Sequence, residues 1–114
     1  MPRPQDRSAD SPTEPLRPVL RPALTREQAE ETAQMLSVVS SAVRLQILSL
    51  IHNNVERRCR VVDLTKVLEL RQPTVSHHLK VMVEAGILAR EPVGREVWYE
   101  IVPHRLGTIA DLLR

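Results

Sequence analysis

The feature that most constrains this chain is a pair of short apolar-striped segments with almost nothing between them. "RVVDLTKVLEL" carries Val61, Leu64, Val67 and Leu68 at helical spacing, and "QPTVSHHLKVMVEAG" carries Val75, Leu79 and Met82 in the same way. Only Glu69, Leu70 and Arg71 separate the two stripes. Pro73 fits a first helical turn, where its missing N–H goes unneeded, and Gly86 is placed to supply a left-handed C-terminal cap. Two short helices joined by so short a turn form a helix-turn-helix.

The flanking segments extend the pattern. "TREQAEETAQMLSVVS" opens with a capping-box signature, Thr25 followed three residues later by Gln28, and continues with Ala29, Ala33, Leu36 and Val39 as its apolar face. "SAVRLQILSLIHNN" has Ser41 as N-cap, a stripe of Val43, Ile47, Leu50 and Ile51, and a turn-prone stop at Asn53 and Asn54. His52 falls in its last turn, where a cation suits the helix dipole. After Gly86, "ILAREPVGREVWYEIV" is two β-prone runs around Pro92, Gly94 and Arg95, read as a hairpin. Pro103 opens a last helix in which Leu106, Ile109, Ala110, Leu112 and Leu113 leave a largely apolar surface, expected at a subunit interface. The expected fold is mainly α with a small β-hairpin wing: a dimeric winged helix-turn-helix.

Length and composition set the outer bounds. With 114 residues, 42% of them hydrophobic and 26% charged, there is room for one globular domain. Residues 1–24 hold six of the nine prolines together with Arg3, Arg7, Arg17 and Arg21, nearly cancelled by Asp6, Asp10 and Glu14. Such a composition cannot bury a core, so residues 1–24 read as a flexible arm and residues 25–114 as the folded domain. No apolar run approaches the roughly 18 residues that span a bilayer, and no signal core opens the chain, so a soluble cytoplasmic protein with no membrane partner is expected. Cys59 is the only cysteine, which removes intrachain disulfides and four-cysteine zinc modules. Aromatic residues are limited to Trp98 and Tyr99, leaving a small core that dimerisation would help to complete. Net charge is only +2, but from Arg57 to Arg95 eight cations face four anions, a local excess of +4. That half is the expected face for nucleic acid.

His77 and His78, side by side in "QPTVSHHLK", have the look of a metal signal. Helical neighbours point about 100° apart, however, so the pair cannot ligate one ion, whereas residues three or four apart can. With Val75, Leu79 and Met82 inward, Thr74, Ser76, His77 and Lys80 share the exposed face, and His78 lies on the border. A strip of short donors, an imidazole and a cation on the second helix of a helix-turn-helix is suited to reading base edges and gripping phosphates in a major groove.

These residues carry a resemblance. "LRQPTVSHHLKVMVEAGIL", followed by "GREVWYEI" and preceded by "SSAVRLQILSLI", resembles the ArsR/SmtB family of dimeric winged-helix transcriptional repressors over residues 25–114. The resemblance implies that the Val61–Leu68 and Gln72–Ala85 helices bind double-stranded DNA, with Arg71, Gln72, Pro73, Thr74, Ser76, His77 and Lys80 as contact residues. It further implies that Gly94 and Arg95 tip a wing over the phosphate backbone and that the first and last helices build a homodimer. Metal or metalloid ions and thiol oxidation are the usual release signals in such proteins, yet the expected sensing positions are departures here. The family's Cys-x-Cys pair before the helix-turn-helix is replaced by Arg60 and Val62, and the recognition-helix thiols by Val81 and Ala85. In the C-terminal Asp-x-His motif Val102 replaces the acid before His104, and the remaining His pair would fall beyond Arg114. No metal site and no cofactor are therefore expected, and the effector is left open. Arg71 stands where a Ser N-cap is usual and Glu69 where the turn often has Gly, each costing on the order of 1 kcal/mol.

Cys59 is a candidate redox residue, because Arg57, Arg58 and Arg60 surround it and nearby cations with exposure favour an oxidisable thiolate. The competing reading is an inert surface thiol without a resolving partner. Two other function classes bear comparison with a sequence-specific repressor acting at an inverted repeat. A winged-helix interaction dimer that has lost DNA binding is opposed by the joint presence of Ser76, His77, Lys80 and Arg95. An enzyme is opposed by the lack of a phosphate loop or an acid, base and nucleophile set.

Overall fold

Helix α1 (Arg26–Val39) begins where the sequence signature puts it: Thr25 accepts from the Gln28 N–H through its hydroxyl, and the Gln28 side chain accepts from the Thr25 N–H. The computed structural model describes residue 20, residues 24–105 and residue 107. The arm expected over residues 1–24, apart from Leu20 and Leu24, and the apolar residues of the last helix lie outside the described residues. Helical backbone does begin at Pro103.

Ser41 caps α2 (Ala42–Asn53) through its hydroxyl, which accepts from the Arg44 N–H, and Asn54 ends it. Ile47 and Ile51 of its stripe are fully buried and Val43 and Leu50 pack against them. In α1 the buried face is Thr32, Met35 and Val39. The face expected from the sequence is rotated from this one: Leu36 is 38% exposed and Ala33 is exposed. Two alanines offer little area to bury, and the longer Met35 side chain decides which face turns inward.

Helices α3 (Val61–Leu68) and α4 (Gln72–Glu84) pack on each other as the helix-turn-helix. Glu69 ends α3 in the left-handed region at φ 56°, the conformation for which glycine is the usual choice. In α3 Leu64 is buried, but Val67, expected inward, is 63% exposed, since an eight-residue helix turns only a narrow edge to the core. In α4, Val75, Leu79 and Met82 are all fully buried. That helix closes with the Ile87 N–H donating to the Met82 carbonyl and the Gly86 N–H to the Val83 carbonyl, a Schellman pair that requires Gly86 at φ 76°.

Strands β2 (Leu88–Val93) and β3 (Glu96–Ile101) form the expected hairpin, with Gly94 and Arg95 as its two-residue turn. Gly94 has φ 62° and open space around it, so backbone conformation rather than packing demands glycine there. A third strand, β1 (Arg58–Arg60), pairs antiparallel with β3 and gives the sheet order β1-β3-β2. Its register sets Cys59 opposite Tyr99, both facing the core, while Arg58 and Arg60 share the outer face with Trp98 and Glu100.

Candidate nucleic-acid interface

The second helix of the helix-turn-helix shows one face to the core and the other to solvent. Gln72, Pro73, Thr74, His77 and Lys80 are exposed, Ser76 is half-buried, and Arg71 is exposed just before the helix. Arg71 caps the helix with no side-chain hydrogen bond, so the first N–H groups of α4 receive no acceptor from their cap residue. That positive helix end, the hydroxyls of Thr74 and Ser76, the His77 imidazole and the Lys80 ammonium form one strip of donors. The strip is able to bind phosphate oxygens at one end and base edges along its length.

The wing reaches the start of the same helix. Gln72 of α4 and Arg95 at the hairpin turn line one cleft of about 260 Å³, together with Arg60, Val62 and Glu96. Among the described residues, Arg71, Lys80 and Arg95 have no carboxylate within salt-bridge distance. Their charge is therefore available to an external anion.

Two of the local cations are not. Arg58 lies over the Trp98 ring, 4.2 Å from its centroid, and approaches Glu56 at 3.3 Å and Glu91 at 3.8 Å. Arg60 is hydrogen-bonded to Asp63 at 3.0 and 3.1 Å and to Glu96, and lies 5.4 Å from the Trp98 centroid. The hydrogen bonds to Asp63 and Glu96 raise the Arg60 pKa further, and the reciprocal bond holds the Asp63 carboxyl below its ordinary value. Sequence reasoning counts both arginines in the nucleic-acid face because their partner strand lies some forty residues on. Three residues of "RCR" are too short to show a strand's alternation.

Cys59 requires correction for the same reason. Instead of an exposed thiol among cations, it is the middle residue of β1 and only 8% exposed. Burial, followed by the negative charge of Asp63, pushes its pKa up, and the flanking arginines turn outward to Trp98 and the carboxylates. Its environment is that of a structural cysteine, which opposes the candidate redox role and also moves the thiol off the surface where the competing reading put it.

His78 also has a role that spacing did not reveal. The Arg44 Nε–H of α2 donates to His78 Nδ1 at 3.1 Å, and an Arg44 terminal N–H donates to the Val38 carbonyl of α1 at 2.8 Å. Burial, then the charges of Arg44 and His77, lower the His78 pKa. The His77 and His78 rings meet edge to face with centroids 5.9 Å apart, and His78 Nδ1 is already engaged by Arg44. Among the described residues no three His, Cys, Asp or Glu side chains gather as metal ligands.

Comparison with known proteins decides what this arrangement belongs to. Residues 41–90 match the profile of the bacterial regulatory proteins of the arsR family. The HTH-type transcriptional repressor SmtB of Mycobacterium tuberculosis is 35% identical over 106 residues, covering 93% of this chain and 72% of the relative. The chain belongs to the ArsR/SmtB family. Like its relatives it is a DNA-binding transcriptional regulator of the repressor type and not an enzyme. The solved structure of the transcriptional repressor PagR of Bacillus anthracis shares 28% identity with this ArsR/SmtB protein and superposes with a TM-score of 0.66, covering 79% of this chain and all of PagR. HlyU of Vibrio cholerae superposes with a TM-score of 0.68 at 24% identity, covering 78% and 94%, and supports the fold. The winged helix-turn-helix of this family member is thus established, and no single helix among its described residues is long and apolar enough to cross a membrane.

Proposed function

We propose that this protein is a homodimeric repressor that binds an inverted-repeat operator through α4 and the β2–β3 wing. The observation that carries the reading is the strip of exposed Gln72, Thr74, His77 and Lys80 with half-buried Ser76, lying beside a wing arginine, Arg95, that has no carboxylate partner among the described residues. Arg71, Gln72 and the start of α4 contact phosphate, the strip reads base edges, and Arg95 grips the backbone beyond the recognition helix. Residues 25–114 are the DNA-binding and dimerisation domain, working in the cytoplasm, with residues 1–24 as a solubilising tail. Two recognition helices related by a two-fold axis call for half-sites about one helical turn apart. The protein acts without a cofactor or a metal sensor: Arg60, Val62, Val81, Ala85 and Val102 occupy positions where family sensors carry ligands.

The test is binding-site selection from a random duplex pool, followed by footprinting upstream of the protein's own coding region. An enriched inverted repeat is the expected result, with Arg95→Ala weakening affinity while leaving the selected motif unchanged. Failure to enrich any duplex would favour an interaction dimer that no longer binds DNA. Near-stoichiometric zinc, cobalt, nickel or cadmium should leave the complex intact, checked by competition with a chromophoric chelator.

A further inference from the structure

Helix α4 is held to the rest of the protein by two kinds of contact. Val75, Leu79 and Met82 bury its inner face, and such apolar contacts are non-directional, so they fix depth better than rotation about the helix axis. The Arg44–His78 hydrogen bond is directional. It joins α4 beside the DNA-facing strip, one residue from His77, to a guanidinium whose other arm engages Val38. The Val38 carbonyl belongs to the last turn of α1, where carbonyls lack helical partners. One arginine on α2 thus ties the end of α1 to the middle of the recognition helix.

Arginine stays protonated and can only donate, so the bond exists only while His78 Nδ1 carries no proton. With Nδ1 accepting, the single imidazole proton sits on Nε2. A second proton would remove the acceptor and set two cations against each other at 3.1 Å. We infer that His78 is a positioning residue for DNA reading: its neutral imidazole, held by Arg44, sets the rotation of α4, and protonation at Nδ1 releases that hold. The inference rests on the DNA-binding reading above and adds a proton-sensitive control to it.

The charged groups acting on His78 are Arg44 of α2 and His77 on its own helix. The other ionisable groups on the elements packed against α4 are Arg26, Glu27, Glu30 and Glu31 of α1, His52 of α2, Asp63 and Lys66 of α3, and Arg90 and Glu91 of β2. His77 is the other imidazole on this part of α4, and the His78→Asn variant isolates the contribution of His78.

The experiment compares wild type, His78→Asn and His78→Leu on a duplex enriched from the random pool by the wild-type protein, between about pH 8 and about pH 5. Asparagine keeps an acceptor near the place of Nδ1 and cannot be protonated there. His78→Asn is expected to match the wild type near neutral pH and to lack its loss of affinity in acid. His78→Leu should bind more weakly than the wild type near neutral pH, on the order of tenfold, the size of one hydrogen bond to a charged group, and the two should converge in acid. Wild-type affinity for His78→Leu near neutral pH, or an acid loss undiminished in His78→Asn, would overturn the inference. Nitrogen-detected NMR of the imidazoles reads the contact without DNA: the Nε2–H tautomer of His78 should dominate in the wild type and mix with the other in Arg44→Met. Unchanged tautomer populations in Arg44→Met would overturn it independently. A tautomer change in a protein that enriches no duplex would instead sink the DNA-binding reading and, with it, the role assigned to His78.

Discussion

Lys80 sits on the exposed face of α4 with no carboxylate partner among the described residues, so its charge is spent on whatever anion approaches. A phosphate contact is insensitive to base sequence and releases about one counterion. Lys80→Ala should therefore weaken binding to all duplexes and flatten the salt dependence by about one unit, whereas Ser76→Ala and His77→Ala should mainly relax sequence preference. Salt-titrated fluorescence anisotropy on matched and scrambled duplexes separates the two effects. Cys59 represents the opposite situation, a reactive residue type withdrawn from reaction. Its burial and raised pKa predict that iodoacetamide modifies the native protein far more slowly than the denatured one. Mass spectrometry of timed quenches checks this, and equal rates in both states would return Cys59 to candidacy as a sensor.

At the level of elements, the turn between α3 and α4 departs twice from the usual stability rules. Glu69 adopts a left-handed conformation at φ 56°, and Arg71 occupies the N-cap of α4 without providing a side-chain acceptor. Glu69→Gly removes the steric cost of the first and should stabilise the protein by about 0.5–1 kcal/mol, part of the gain being lost to the greater freedom of glycine in the unfolded chain. Arg71→Ser supplies the missing cap and should add about 1 kcal/mol. It should also reduce DNA affinity, because it removes a cation and lets a hydroxyl occupy the N–H groups that would meet phosphate. Urea denaturation followed by Trp98 fluorescence, paired with anisotropy, tests both variants. A stabilised Arg71→Ser protein with undiminished affinity would separate that helix end from the DNA contact.

In the molecule as a whole, the outer face of the sheet is closed by charge rather than by apolar side chains. Arg58 and Arg60 lean on Trp98 and bridge to Glu56, Glu91, Asp63 and Glu96, linking the wing to the start of α3. Hydrogen bonding by Arg60 keeps the Asp63 pKa below its unfolded value, so the bridge stabilises the fold above that value, near 4. The contribution is lost as pH falls through the lower, folded-state pKa. Solvent screening keeps it small. Thermal unfolding should show Asp63→Asn losing less stability than the wild type between about pH 5 and about pH 3, while near neutral pH it is the less stable of the two. Parallel pH profiles would remove Asp63 from the account.

What the sequence determined by itself is everything encoded by neighbours along the chain. The Thr25–Gln28 box, the Ser41 cap, the three-residue break after Leu68, the Gly86 cap and the Gly94 turn each depend on residues a few positions apart, and each stands in the structure where it was read. The face of α4 was legible too, because Val75, Leu79 and Met82 form an unambiguous stripe. Tertiary structure alone decided the strand at Arg58–Arg60, the burial of Cys59 and the pairing of Arg44 with His78. All three depend on partners 34 to 42 residues away. Periodicity reports which side of an element faces inward, but it holds no information about which distant residue waits there. That is why the donor strip could be named from the chain, whereas the bond holding its helix in place could not.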